Sequence, residues 1–166
     1  MTARRVERRR GGVGRATTLG IALLLTACAS APSGSLPPSD PAEVDFAPEL
    51  GVDLADFERT SSGLYMKDLT VGLGSTASGV DEVWIYYVGW LPDGTVFDAT
   101  LEGDPFHFRL GANGVIRGWD EGIRGMKVGG RRRLVVRPGL AYGTRGRARV
   151  PPGATLVFEV QLIDAN

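Results

Sequence analysis

The chain holds one cysteine and one histidine among its 166 residues, and that scarcity closes off much chemistry. A lone thiol forms no internal disulfide. One His with one Cys supplies no metal cluster, and the sequence offers neither a Ser-His-Asp set nor a phosphate-cradling glycine loop. Long apolar runs are missing too. The run from Ala16 to Ala27 is twelve residues, too short for a helix across a hydrocarbon core of about 30 Å. Formal net charge is zero, yet the charge is unevenly placed. Residues 1–28 hold six Arg and one Glu, and the rest holds 13 Lys and Arg against 18 Asp and Glu. An acidic body argues against general nucleic-acid binding, so no nucleic acid is expected as a partner.

The six arginines, Arg4, Arg5, Arg8, Arg9, Arg10 and Arg15, stand ahead of the short apolar run. That is the layout of a secretory signal peptide over 1–27. The run ends Leu25-Thr26-Ala27-Cys28, which resembles a bacterial lipobox. The resemblance implies cleavage before Cys28 and lipidation of its thiol. Two or three acyl chains anchor stably where one binds marginally. The expected location is extracytoplasmic, lipid-anchored to a bacterial membrane on the periplasmic side or cell surface. An ordinary signal peptide with an incidental Cys28 is the alternative. Residues 28–62 then form the lipidated Cys and a flexible tether. Within it, the Gly-Pro-Ser-rich stretch 29–45 has too few large apolar groups to offset ordering entropy and is expected to be disordered. Phe46, Leu50, Leu54 and Phe57 fall at nearly helical spacing and predict a short helix within 46–60.

From Gly63 onward the pattern alternates with a period of two. Phe106, Phe108 and Leu110 face one way, His107 and Arg109 the other; Leu156, Phe158, Val160 and Leu162 repeat the pattern. Pro92-Asp93-Gly94, Gly111-Ala112-Asn113-Gly114 and Pro151-Pro152-Gly153 punctuate the runs as turns. One stretch reads as helical: Trp119, Ile123 and Met126 follow i, i+4, i+7, Asp120 and Glu121 suit a first turn, and Gly129-Gly130 ends it. Several antiparallel strands and a single short helix give an α+β domain over 63–166, a bent sheet wrapped around the helix. Rings recur in every block: Tyr87, Phe97, Phe106, Trp119, Tyr142 and Phe158. Aromatics converging from so many segments of a small domain point to a concave apolar site.

The ordered blocks YYVGWLPDGTVFDAT (86–100), DPFHFRLG (104–111), VIRGWDEG (115–122), LAYG (140–143) and PPGATLVFEVQL (151–162) resemble the FKBP-type peptidyl-prolyl cis-trans isomerases from about Gly63 to Asp164. The resemblance implies the FKBP fold and acceleration of X-Pro rotation in exported proteins as they fold, without a cofactor. It implies that Trp119 is the pocket floor, with Phe97, Asp98 and Tyr142 the other catalytic residues. Tyr87, Phe106, Val115, Ile116, Val150 and Phe158 are the substrate-binding positions. Proline-containing polypeptides are the implied partners, with macrolide inhibitors as further ligands and a monomer as the expected state. A non-catalytic peptide-binding, chaperone or scaffold module of the same fold is the alternative. The segments 99–105 and 143–150 look one residue shorter than in familiar eukaryotic members. The first lacks an Arg that can pair with Asp98, and the second carries Arg145, Arg147 and Arg149, which favour acidic substrate flanks. Outside the site, Trp84 and Phe108 are expected only to pack, His107 to face solvent, and Arg131-Arg132-Arg133 to form a partly exposed strand edge.

Overall fold

Alternation of buried and more exposed residues along Glu82–Trp90 makes this the best-defined strand of the protein. The computed structural model describes residues 39–166; the expected signal peptide and Cys28 lie outside the described residues. The strands are β1 (Glu58–Arg59), β2 (Tyr65–Thr70), β3 (Glu82–Trp90), β4 (Val96–Thr100), β5 (Phe106–Arg109), β6 (Arg131–Val136) and β7 (Leu156–Ala165). They form one antiparallel sheet in the order β1-β2-β6-β7-β3-β4, with β5 also paired to β3. β4 takes residues 87–90 of β3 and β5 takes residues 82–85, so two strands share one edge of β3. Non-consecutive neighbours bring residues distant in sequence side by side, as in Leu134 opposite Phe158.

One α-helix is found among the described residues, α1 (Arg117–Gly122). It is shorter than the apolar spacing suggests. Ile123 closes it and Gly125 turns the chain at φ 80°, so Met126 reaches the core from a turn rather than a helical face. The helix lies flush on the sheet because it presents Gly118 and Gly122 there. A Cβ at Gly122 would come within 2.7 Å of the Leu134 side chain. Arg132 fastens its end: the guanidinium grips both oxygens of Asp68 at 2.6 and 3.0 Å and donates to the Gly122 carbonyl at 2.9 Å. A cation there complements the carbonyl end of the helix.

β6 corrects one expectation. Arg131-Arg132-Arg133 does not lie at a sheet edge, because β6 sits between β2 and β7. Arg132 is buried, and Arg131 and Arg133 both pair with Glu159 on β7. Burial works against the Glu159 carboxylate, but hydrogen bonds from Arg133 and Arg131 outweigh it and hold its pKa below the ordinary value.

The segment ahead of β1 differs from expectation as well. The tether was to run through residue 45, yet Pro41 is already buried and Asp40 caps the turn that follows. A single 3₁₀ turn at Pro41–Glu43 comes first, and in place of one helix within 46–60 there are two more, at Pro48–Leu50 and Leu54–Asp56. Pro41 and Pro48 lack an N–H and start turns readily, while the left-handed Gly51 ends the second. Phe46, Leu50, Leu54 and Phe57 do share a face: with Tyr65, Val135, Val157 and Trp90 they make a second apolar cluster. The packed domain therefore starts well before Gly63.

Candidate functional site

Six rings, from chain segments far apart in sequence, meet around α1. Trp119 is only 6 % exposed. Its indole is met edge-on by Tyr87 (centroids 4.7 Å), Phe158 (5.3 Å) and Phe106 (5.8 Å), and Phe108 lies tilted at 5.9 Å. Phe97 continues the wall with its edge on Phe158 at 5.6 Å. Edge-to-face contacts fix ring orientation as well as burying area. The site depends on Gly89: a Cβ there would sit 2.7 Å from Phe97 and 2.8 Å from Phe158. A register shift between Gly89 and Trp90 in the β3–β4 pairing lies beside Phe97, at the place where the wall is built.

Together with Asp98, Gly114, Val115, Ile116, Tyr142 and Arg147, five of these rings enclose a cavity of about 250 Å³. That is smaller than the roughly 300–1,000 Å³ of most small-molecule sites, a size suited to one compact ring and its flanking amide. The Trp119 indole Nε1 is buried at the floor with no hydrogen-bond partner among the described residues. Nine of the ten expected site residues line this cavity. Val150 does not. It is buried in an adjoining hollow of about 410 Å³ that also takes Phe97, Asp98, Tyr142 and Arg147 as walls.

The polar groups sit at the mouth. Asp98 is exposed and accepts the Tyr87 hydroxyl at 2.8 Å, so the lack of an Arg in 99–105 does not leave it without a partner. Burial first, and then the hydrogen bond to Asp98, raise the Tyr87 pKa well above its usual value. Burial also raises that of Tyr142, against the opposing influence of Arg147. Both phenols therefore stay protonated, as donors, throughout the neutral range. The loop 111–116 is tied down by Asp120, whose carboxylate accepts the Gly111 N–H at 2.8 Å. The Ile116 carbonyl accepts from Trp119 and Asp120 at 2.9 and 3.3 Å, while its own N–H has no protein acceptor among the described residues.

In the sequence Arg147 is one of three arginines in a basic loop, and nothing there marks it as a wall of the cavity. Its guanidinium lies 5.8 Å over the Tyr142 ring and lines both the cavity and the hollow beside it. It is carried there by a tight reversal in which Arg147 and Val150 exchange backbone hydrogen bonds of 2.9 and 2.7 Å. The two-residue loop puts Ala148 at φ 47°, a conformation no periodicity announces. His107 behaves as expected: it faces solvent and stacks on Trp84.

The model of the FKBP-type peptidyl-prolyl cis-trans isomerase family matches residues 74–163. The chain belongs to that family. An FK506-binding protein 4 of Gibberella zeae is 40 % identical over 133 residues, covering 80 % of this chain and 26 % of its own length. A probable FKBP-type peptidyl-prolyl cis-trans isomerase of Haemophilus influenzae is 42 % identical over 113 residues, or 67 % of this chain and 46 % of its own. The chain thus spans less than half the length of these curated relatives. Among solved structures, FkpA from Escherichia coli superposes with a TM-score of 0.63 at 39 % identity, covering 71 % of this chain and 55 % of that one. A peptidyl-prolyl cis-trans isomerase from Pseudomonas syringae gives 0.61 at 36 % identity over 67 % and 81 %. The FKBP fold is the one described above: a seven-stranded antiparallel sheet with one short helix against it.

Proposed function

We propose that this FKBP-type domain accelerates cis-trans rotation about X-Pro bonds, and the observation that carries the reading is the small ring-lined cavity floored by Trp119. Rotation must break amide resonance, at a barrier of about 18–20 kcal/mol, and unassisted it takes tens to hundreds of seconds. In the twisted state the carbonyl loses polarity and the nitrogen becomes pyramidal. A water-poor hollow favours that state over the planar imide. Each 1.36 kcal/mol removed gives about tenfold, so roughly 4–5 kcal/mol accounts for a thousandfold or more.

In this reading the proline ring rests on Trp119 between Tyr87, Phe97, Phe106 and Phe158, with Val115 beside it. The free Ile116 N–H binds a substrate carbonyl. Tyr142 directs its hydroxyl at the carbonyl of the rotating bond, and Asp98, held by Tyr87, polarises the mouth. Val150 shapes the neighbouring hollow, where flanking residues lie. Arg147 and Arg149 on that rim favour acidic residues beside the proline. Macrolides that mimic the twisted imide would occupy the same cavity. The location we propose is extracytoplasmic, with Cys28 lipidated as a membrane anchor, the clients being exported proteins. The basic-apolar layout of residues 1–27 and the lone Cys at its end support this.

A protease-coupled assay on an Ala-Leu-Pro-Phe peptide tests the activity, and no acceleration over buffer overturns it in favour of a binding module. Exchanging the residue before proline between Glu and Lys should favour Glu, and Arg147→Glu should reverse the preference. Cys28→Ser should release the protein from the membrane fraction; unchanged fractionation counts against the anchor.

A further inference from the structure

The largest cavity described is not the ring-lined one. A groove of about 680 Å³ runs between residues 43–47 and the β3–β4 turn at 91–93, with Pro151, Ala154 and Thr155 beneath. One wall comes from a segment ahead of the 74–163 family match. That wall is held in place. The Ala47 N–H bonds the Pro92 carbonyl at 2.8 Å, Pro41 is buried, and Arg59 pairs with Asp40 at 3.4 Å.

Two features of the groove specify an occupant. Its surface is apolar where Val44, Leu91, Pro151 and Ala154 line it. Its charged members are all acidic: Glu43, Asp45 and Asp93, with no Lys or Arg among the lining residues. Glu43 and Asp45 are exposed and take part in none of the ion pairs among the described residues. Thr155 beneath them is buried, and its hydroxyl has no hydrogen-bond partner among the described residues.

We propose that this groove is a second polypeptide-binding site, for extended segments that combine apolar side chains with Lys or Arg. Apolar side chains cover the groove's surface, and the basic ones meet the acidic rim. An anionic lipid surface fits poorly, since the rim would repel its headgroups. The site adjoins the isomerase cavity through the chain itself: Pro151 lines the groove and Val150 the hollow beside the cavity. A client held here is therefore kept near the place where its prolines turn. No proline is needed for this binding, so the site can hold a chain between isomerisation events.

The test uses the full chain and two fluorescein-labelled, proline-free peptides, one alternating Leu and Phe with Lys, the other with Glu in place of Lys. Fluorescence anisotropy should show the Lys peptide bound at least tenfold more tightly, with affinity falling as salt rises. Glu43→Lys/Asp45→Lys should remove that preference while leaving tetrapeptide isomerisation unchanged. Amide shifts on binding should map to 43–47, 91–93 and 154–155. Equal affinity for the two peptides, or a preference that survives the charge reversal, overturns the proposal. So does displacement of the Lys peptide by a proline tetrapeptide, which would place the probe in the isomerase cavity. Tighter binding after deletion of residues 29–38 would make the chain's own segment the occupant. Amide shifts at the groove on adding phosphatidylglycerol vesicles, with none on adding the peptide, would make it a membrane contact. A protein that binds the Lys peptide but does not isomerise refutes the enzymatic reading alone.

Discussion

The sheet has two apolar faces, and they end differently. On the helix side, Ile85, Tyr87, Leu134, Phe158 and Val160 pack with Trp119 and Ile123, and rings from β3, β4, β5 and β7 stop short of filling the space. On the other side, Val135, Val157 and Tyr65 are covered by Phe46, Leu50, Leu54 and Phe57 from the 3₁₀ segment. Large flat rings held edge-to-face leave a concave surface open on the helix side, whereas the strap residues lie directly on Val135 and Val157. The unfilled face is where we propose that a substrate fits. The filled face supplies stability for it.

That division can be broken by substitution. The largest effect is expected from Trp119→Ala, which removes the floor itself. Truncating a buried Trp costs about 3–5 kcal/mol, and tetrapeptide turnover should fall by roughly two orders of magnitude, equal to about 2.7 kcal/mol of barrier. Chemical denaturation and the coupled assay measure the two losses, with circular dichroism to establish that the variant is folded. Leu50→Ala on the opposite face should cost about 2–4 kcal/mol of stability yet keep kcat/KM within about twofold. A folded Leu50→Ala protein that has lost its activity would show that the faces do not divide the work.

Smaller changes sharpen the contrast. Tyr87→Phe deletes the hydrogen bond to Asp98 but keeps the ring. Because Asp98 is exposed, the stability loss should stay near 1 kcal/mol, with turnover lower by about tenfold. The same change at Tyr86, which points away to the Gly103 carbonyl, should leave turnover alone. The weakest effect belongs to Glu159 between Arg131 and Arg133. Its folded pKa lies below the ordinary 4.5, so the folded state binds fewer protons than the unfolded one in that range. Its stabilisation is complete above pH ~4.5 and disappears as pH falls through the lower folded value. Glu159→Gln should therefore flatten the acid limb of the stability curve below pH ~4.5 and leave isomerisation at neutral pH untouched.

Most of this architecture is visible in the order of residues, for reasons tied to particular elements. The strict alternation in β3 and β7 announces strands and tells which residues face the core, because side chains on a strand change sides at every step. Trp119, Phe97, Tyr87 and Phe158 were assigned to one site from their sequence blocks, and they do converge. The helix was overextended because Ile123 and Met126 keep helical spacing even though Gly125 reverses the chain between them. The 46–60 segment misled in a related way. Four apolar residues at near-helical intervals need only a shared buried face, and two separate turns provide one as well as a helix does. Arg131-Arg132-Arg133 looked peripheral because charge usually marks a surface. Nothing local shows that Asp68, Gly122 and Glu159 wait across the sheet to take up those guanidinium groups.

By itself the amino-acid order determined the strand pattern, the family and the set of rings that build the cavity, since alternation and motif spacing are local properties of a chain. Only the tertiary structure decided that Arg147 leans over Tyr142, that Tyr87 holds Asp98, that Val150 serves a neighbouring hollow, and that residues 43–47 wall a second, acidic-rimmed groove. Those facts depend on which segments the antiparallel pairing brings together through space, and pairings between distant residues leave no periodic trace along the sequence.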